Sequence, residues 1–350
     1  MKQNEMSDVL QTRRVAVTGG TGLIGSHLVA ELLKRGCRVK LLVRDMRRIG
    51  QLRATLSRMG AESYYGRIEF CETELNNPYT LASALAGVGV VFHCAALVTF
   101  DPEEDEKVVS VNTEITTHVV NACLRCGVEL LVHMSSIATL GSCRPGQRAI
   151  DETCILSNPV GRSPYSISKI YAENVVRRGM TQGLRAVIVN PSVVIGEGDP
   201  HSSSSRLIAF AMRRRLFYTK GVKGYVDVRD VARAAVRLAE TPQAVGKRFI
   251  VSAENLSFGA LFSMAARISG HWPPVICMGS RALNGIYKVE KLLYRWFGRR
   301  PILSEALIAN ACDASYYDSG RMRNLLGFEY TPIRETLERV IHYYQKQEKR

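Results

Sequence analysis

Val15-Ala16-Val17-Thr18-Gly19-Gly20-Thr21-Gly22-Leu23-Ile24-Gly25-Ser26-His27-Leu28 decides the fold, because an apolar run, spaced glycines and a new amphipathic period follow without a break. The run reads as a buried strand, the glycines as a tight turn and the remainder as a helix start. Gly19 suits the turn, Gly22 lets a backbone approach a pyrophosphate, and Gly25 lets the helix lie close to the strand. Unpaired N–H groups at such a helix start face any phosphate placed there, which is the pattern of a dinucleotide-binding turn. After a helix over 26–35 and a stop at Gly36, Cys37 to Asp45 reads as a second strand and completes a strand, helix, strand unit.

The end of that second strand separates the two nicotinamide cofactors. An acid there accepts from the adenosine ribose hydroxyls, whereas a base neutralises an added 2′-phosphate. The acid position falls on Val43, with Arg44 next and Arg47 and Arg48 behind. NADP(H) is the preferred reading; Asp45 keeps NAD(H) open if the register slips, and a solvated basic surface is the bland alternative.

With 350 residues, 46% of them hydrophobic, the chain can bury a substantial core in one large unit and a smaller one. Met1 to Arg14 is polar and no apolar window approaches the length of a bilayer span, so the expectation is a cytoplasmic protein without a transmembrane segment. The nine cysteines are scattered, and Cys123-Leu-Arg-Cys126 lacks a second pair or a histidine cluster, so no metal site is expected. A net charge of +15 permits acidic partners. The clusters Arg213-Arg214-Arg215 and Arg299-Arg300 lack interleaved aromatics, which argues against nucleic acid. Lys288 to Arg300, with Leu292, Leu293, Tyr294, Trp296 and Phe297 among basic residues, has two readings, a membrane-surface segment or a helix over a substrate pocket, and the second is preferred.

Strands and helices alternate onward through Arg67 to Cys71, Val88 to Cys94, Glu129 to Met134 and Arg185 to Asn190. This predicts an α/β, doubly wound parallel-sheet Rossmann fold with a smaller interleaved C-terminal substrate domain. The expected dinucleotide domain spans 12–194, and 225–252 rejoin it; 195–224 and 253–345 form the substrate-binding region. Cys94, Ala95 and Ala96 are small enough for a cofactor to pass over. His93 reads as a packed histidine rather than a catalytic one.

Ser136 follows the fifth strand, where parallel sheets place chemistry, and Tyr165 and Lys169 share a helix face four residues apart. A ketone accepting hydride develops negative charge on oxygen. Tyr165 would supply the proton, Lys169 would favour the phenolate and hold the nicotinamide ribose, and Ser136 would polarise the substrate oxygen, with Ser135 as the alternative. Asn112 would steady Lys169 through a water.

With those motifs the chain resembles the extended short-chain dehydrogenase/reductase family, also called the NAD-dependent epimerase/dehydratase family, from Arg13 to about Tyr344. The resemblance rests on Thr18 to Gly25, His93 to Ala96, Val111-Asn112, Ser135-Ser136, Tyr165-xxx-Lys169, Asn190-Pro191-Ser192 and Tyr225 to Ala232. Within the family the chain looks most like the dihydroflavonol 4-reductase and 3β-hydroxysteroid dehydrogenase branch. The resemblance implies cofactor contacts at Thr21, Leu23, Ile24, Glu74, Leu75, Pro191, Ser192 and Val193, besides Gly19, Gly22, Gly25, Arg44, Cys94, Ala95, Ala96, Tyr165 and Lys169. It also implies a homodimer or a monomer. Glu74 and Gly89 stand where the family usually has aspartate, and Ile115 where it has glycine, so Glu74 would reach the adenine amine through a longer arm.

Three functions compete. The first is an NADP(H)-dependent oxidoreductase interconverting a ketone or aldehyde and an alcohol on a small, fairly apolar molecule. The second is a nucleotide-sugar epimerase or dehydratase with tightly bound NAD(P), its diphosphate held near Arg206 and Arg213 to Arg215; the third is a non-catalytic NADP(H) sensor.

Overall fold

A computed structural model describes residues 8–98, 104–143, 145–156, 158–199, 205–297 and 304–348; Arg299, Arg300 and part of the polar loop over 196–206 lie outside them. After the short α1 (Asp8–Gln11) the chain runs β1 (Val15–Thr18), α2 (Leu23–Lys34), β2 (Val39–Val43), α3 (Ile49–Arg58), β3 (Ile68–Glu72), α4 (Pro78–Leu85), β4 (Val90–His93), α5 (Asp105–Arg125), β5 (Leu130–Met134), α6 (Pro164–Thr181) and β6 (Ala186–Pro191). It continues with β7 (Val193–Ile195), α7 (Ser205–Met212), β8 (Phe217–Tyr218), β9 (Val222–Asp227), α8 (Val228–Ala239), β10 (Arg248–Val251) and β11 (Glu254–Ser257). The last elements are α9 (Phe258–Ile268), β12 (Ile276–Cys277), α10 (Ser280–Phe297), α11 (Glu305–Cys312), α12 (Gly320–Leu326) and α13 (Ile333–Glu348).

Seven parallel strands form the main sheet in the order β3-β2-β1-β4-β5-β6-β10. Its central strands are apolar on both faces because helices cover both. Val15 and Val17 point into one core with Leu28, Leu32 and Val231, and Ala16 points into the other with Leu85, Val119 and Val176. The chain leaves β1 in one direction to β2 and β3 and resumes on the other side at β4, which opens a crevice at the carboxyl ends of β1 and β4. This is the doubly wound architecture expected.

Past Pro191 the structure is more regular than the sequence suggests. β7, β9 and β11 make a separate three-stranded sheet with β9 at its centre. Strands of three and four residues carry too little periodicity to be read, and β11 (Glu-Asn-Leu-Ser) is polar enough to pass for a loop. α7 stops at Met212, and the chain then pairs as β8 with β12.

A buried ion network ties the last helix to this sheet. Asp227 caps α8 by accepting from the Arg229 N–H at 2.8 Å, and its other oxygen accepts from Thr336 Oγ1 and Arg339 Nη2 at 2.9 and 2.6 Å. Arg339 Nε and Arg229 Nη2 both donate to Glu197 Oε1, at 2.9 and 2.7 Å. Burial pushes the Glu197 carboxyl up, but the net shift is well below its ordinary value. His27 Nε2 lies 3.8 Å from Oε2, so we assign the larger share of the lowering to the two guanidiniums. Arg339→Ala leaves two buried carboxylates short of a cation, and chemical denaturation should show a loss of about 3 kcal/mol at neutral pH. Because the folded pKa of Glu197 is depressed, this contribution is complete above its unfolded value of 4.5 and fades as pH falls below it. The deficit of the variant should shrink correspondingly in acid.

Candidate functional site

A cavity of 1160 Å³ runs from the glycine turn after β1 to a far wall that includes Lys223, Asp313 and Tyr317. At the near end Gly19 has φ +70°, and a Cβ there would lie 2.6 Å from the Ala95 nitrogen. A Cβ on Gly25 would lie 2.2 Å from the Gly19 oxygen. The turn therefore exists only with glycine at both positions. Gly22 is the N-cap of α2 and no side chain caps that helix, which leaves its first N–H groups facing the cavity. Open space beside uncapped donors fits the pyrophosphate of a dinucleotide.

The middle of the cavity is lined by Ser136, Tyr165 and Lys169. Ser163 and Pro164 start α6, with the Ser163 hydroxyl accepting from the Ser166 N–H, and this places Tyr165 in the first turn. Burial raises the Tyr165 phenol, and a hydrogen bond with Ser136 offsets part of that rise. Lys169 is buried and donates from Nζ to the Met134 carbonyl at 3.0 Å. Burial pulls its ammonium down to about 8, a fall that neighbouring Cys94 and Glu173 partly offset.

Ser135 is committed elsewhere, donating to Glu173 Oε2 at 2.8 Å, so the adjacent Ser136 is the serine that reaches the tyrosine. Glu173 also accepts from Thr139 Oγ1 and Asn190 Nδ2 at 2.9 and 3.0 Å and from Arg177 at 2.7 Å. Burial pushes its carboxyl up, but these donors, Arg177 foremost, hold it below its usual value. Sequence reasoning missed this residue. The signal available was its place one turn beyond Lys169, with an arginine a further turn on.

Of the expected contacts, the cavity wall brings together Gly19, Gly22, Leu23, Ile24, Gly25, Cys94, Ala96, Ser136, Tyr165, Lys169, Ser192 and Val193. Thr21, Ala95, Leu75 and Pro191 are not in that wall; Ala95 supplies the backbone against Gly19, and Pro191 is buried as the last residue of β6. Glu74 is exposed and outside the wall. Asn112 does not meet Lys169: it donates to the Leu97 carbonyl at 2.9 Å and to Ser168 Oγ at 3.1 Å, and accepts from the Leu97 N–H at 2.6 Å. Arg44 is exposed and outside the wall, and Arg48, one turn on, lines it instead. Asp45 caps that turn and is engaged by Arg47 through its backbone N–H and, at 2.9 Å, Nε. His93 lies within 2.8 Å of Thr18 Oγ1 and 3.2 Å of Thr116 Oγ1, and burial takes its pKa to about 3, a packed neutral ring as expected. Among the described residues none of α10 lines the cavity; Arg299 and Arg300 of the segment expected to cover it lie outside them.

Residues 15–252 match the model of the NAD dependent epimerase/dehydratase family. Sterol demethylase protein B of Methylococcus capsulatus is 28% identical over 94% of this chain and 98% of its own length. Cinnamoyl-CoA reductase 1 of Oryza sativa subsp. japonica is 28% identical over 93% of this chain and 89% of its own. The crystal structure of gox2253 superposes with a TM-score of 0.79 at 30% identity, covering 96% of this chain and 98% of that one.

Gly25→Ala forces the Gly19 carbonyl aside and should lower stability by roughly 1–3 kcal/mol. It should also weaken dinucleotide binding in a fluorescence titration. Unchanged melting and titration curves would refute the close-packing assignment.

Proposed function

The chain belongs to the NAD dependent epimerase/dehydratase family and is an NAD(P)-dependent oxidoreductase, and from that premise we propose that it uses NADP(H) to interconvert a ketone or aldehyde and an alcohol. One observation carries the proposal. The Tyr165 phenol, close enough to Ser136 for that hydroxyl to offset part of the rise in its pKa, and the buried Lys169 one turn further along α6 line a single cavity with the glycine turn. Leu97, Val98, Ile137, Leu140, Val194 and Leu207 line the same cavity, which supports a small, fairly apolar substrate.

A nicotinamide bound in the cleft would supply the hydride in reduction and take it in oxidation. Ser136 orients the substrate oxygen by donating to it. Tyr165, kept protonated by its burial, releases its proton to that oxygen as charge develops there. In the reverse direction its phenolate takes the proton back, and the Lys169 ammonium favours that anion. Asn112 acts at one remove, holding the loop at Leu97 against α6 through Ser168. For the cofactor, Val43 ends β2 where an acid would meet ribose hydroxyls, Asp45 is already paired with Arg47, and Arg48 stands at the wall to meet a 2′-phosphate.

A nucleotide-sugar substrate is the second reading, favoured by Arg162 and Arg206 in the same cavity wall. Purified protein with NAD(P) that cannot be removed, and no net turnover, would favour it.

Oxidation of NADPH should depend on an added carbonyl compound and fall by roughly a hundredfold or more in Tyr165→Phe; retained turnover in that variant sinks the mechanism. Lys169 is charged below about pH 8 and neutral above it. Reduction should therefore hold level up to that pH and decline beyond, and Lys169→Arg, which stays charged, should move the decline to higher pH. Arg48→Ala should weaken NADPH binding and leave NADH binding nearly unchanged, with a smaller effect from Arg44→Ala; equal losses for both nucleotides would overturn the NADP(H) preference.

A further inference from the structure

We propose that α10, with the exposed edge formed by β8 and β12, is a docking surface for an anionic lipid bilayer. Ile286, Val289, Leu293 and Trp296 recur at helical spacing and form one stripe along α10. All four are exposed, at 42%, 56%, 47% and 75%. The helix packs chiefly against α11 and leaves this stripe uncovered. β12 ends three residues before α10 begins and pairs with β8; around that pair Trp272, Val275, Leu216 and Phe217 are exposed as well. Scattered apolar side chains are ordinary on a surface, but a continuous amphipathic stripe pointing at solvent marks an interface.

Charge selects the occupant. Beside the stripe α10 carries exposed Arg281 and Lys288, and Arg213 and Arg214 are exposed just ahead of β8. Lys291, on the far side of the helix, sits over the Tyr287 ring at 4.7 Å and 3.9 Å from Glu305. Two copies of a chain with net charge +15, docked through these stripes, would bring their basic rims together. Anionic headgroups neutralise the same rims while the stripe enters the acyl boundary and Trp296 sits at headgroup depth. Among the described residues no helix is long and apolar enough to cross a membrane, so the bilayer is met at its surface. α11 contributes Asn310 to the cavity wall, so docking sets the cavity one helix away from lipid.

The test is co-sedimentation of the full chain with vesicles of phosphatidylcholine alone or mixed with phosphatidylglycerol. The chain should pellet with the anionic vesicles only, and less so as salt is raised. Val289→Asp with Leu293→Asp, and separately Arg281→Glu with Lys288→Glu, should each weaken this association by roughly tenfold or more. None of the four lines the cavity, so NADPH titration should be unchanged in both variants, which shows them folded. Absence from both vesicle pellets overturns the proposal, as does vesicle binding that neither variant alters. A dimer in sedimentation velocity that Val289→Asp with Leu293→Asp dissolves, without vesicle binding, overturns it in favour of a second copy.

Discussion

Backbone meets backbone where β1 ends, and the rest of the molecule depends on that approach. Gly25 of α2 lies against the Gly19 carbonyl, and Gly19 lies against Ala95 beyond β4, with no room for a Cβ at either glycine. This contact aims the start of α2 at the crevice between β1 and β4. It also brings the loop after β4 to the same place. A helix dipole, a row of free donors and the carboxyl ends of the central strands thus converge at one point without a charged side chain to gather them.

The second half of the site is organised by α6. Tyr165, Lys169 and Glu173 follow at four-residue spacing and pass from the cavity into the protein, and exposed Arg177, four residues on, closes the row from the surface. The row's cavity end touches the space where substrate would lie; its inner part is fixed by Ser135, Thr139, Asn190 and Arg248 around Glu173. A buried carboxylate with that many partners resists displacement, because each move strands a donor. The positions of Tyr165 and Lys169 are in this sense set from behind.

The central strands, the glycine turn and the Ser-Tyr-Lys set were legible in the chain because each is announced by local pattern: apolar runs, spaced glycines, a strand running into serines. Glu173 was harder to see: Arg177 one turn on is its single local signal, and its other partners, Ser135, Thr139, Asn190 and Arg248, come from distant stretches of the chain. Arg44 and Arg48 differ only in how a short 3-10 turn, capped by Asp45, directs them, which side-chain type alone does not reveal. Asn112, expected to steady Lys169 through a water, also clamps the backbone of Leu97, a contact no local pattern announces. The helix over 280–297 has the composition of a cover for a pocket, and only packing shows that its apolar side faces outward.

The ion network at Glu197 and Asp227 has a consequence for the order of synthesis. Both carboxylates lie well before the residue that bridges them, Arg339, which sits in α13, the last helix of the chain. A ribosome releases the strands of the dinucleotide crevice early, so that half can assemble while translation continues. The three-stranded sheet beside it must wait for the final helix before Asp227 finds its cation and Glu197, already paired with Arg229, its second. A product terminated ahead of Ile333 would therefore retain the glycine turn yet expose a half-built three-stranded sheet, a form that quality-control proteases are suited to remove.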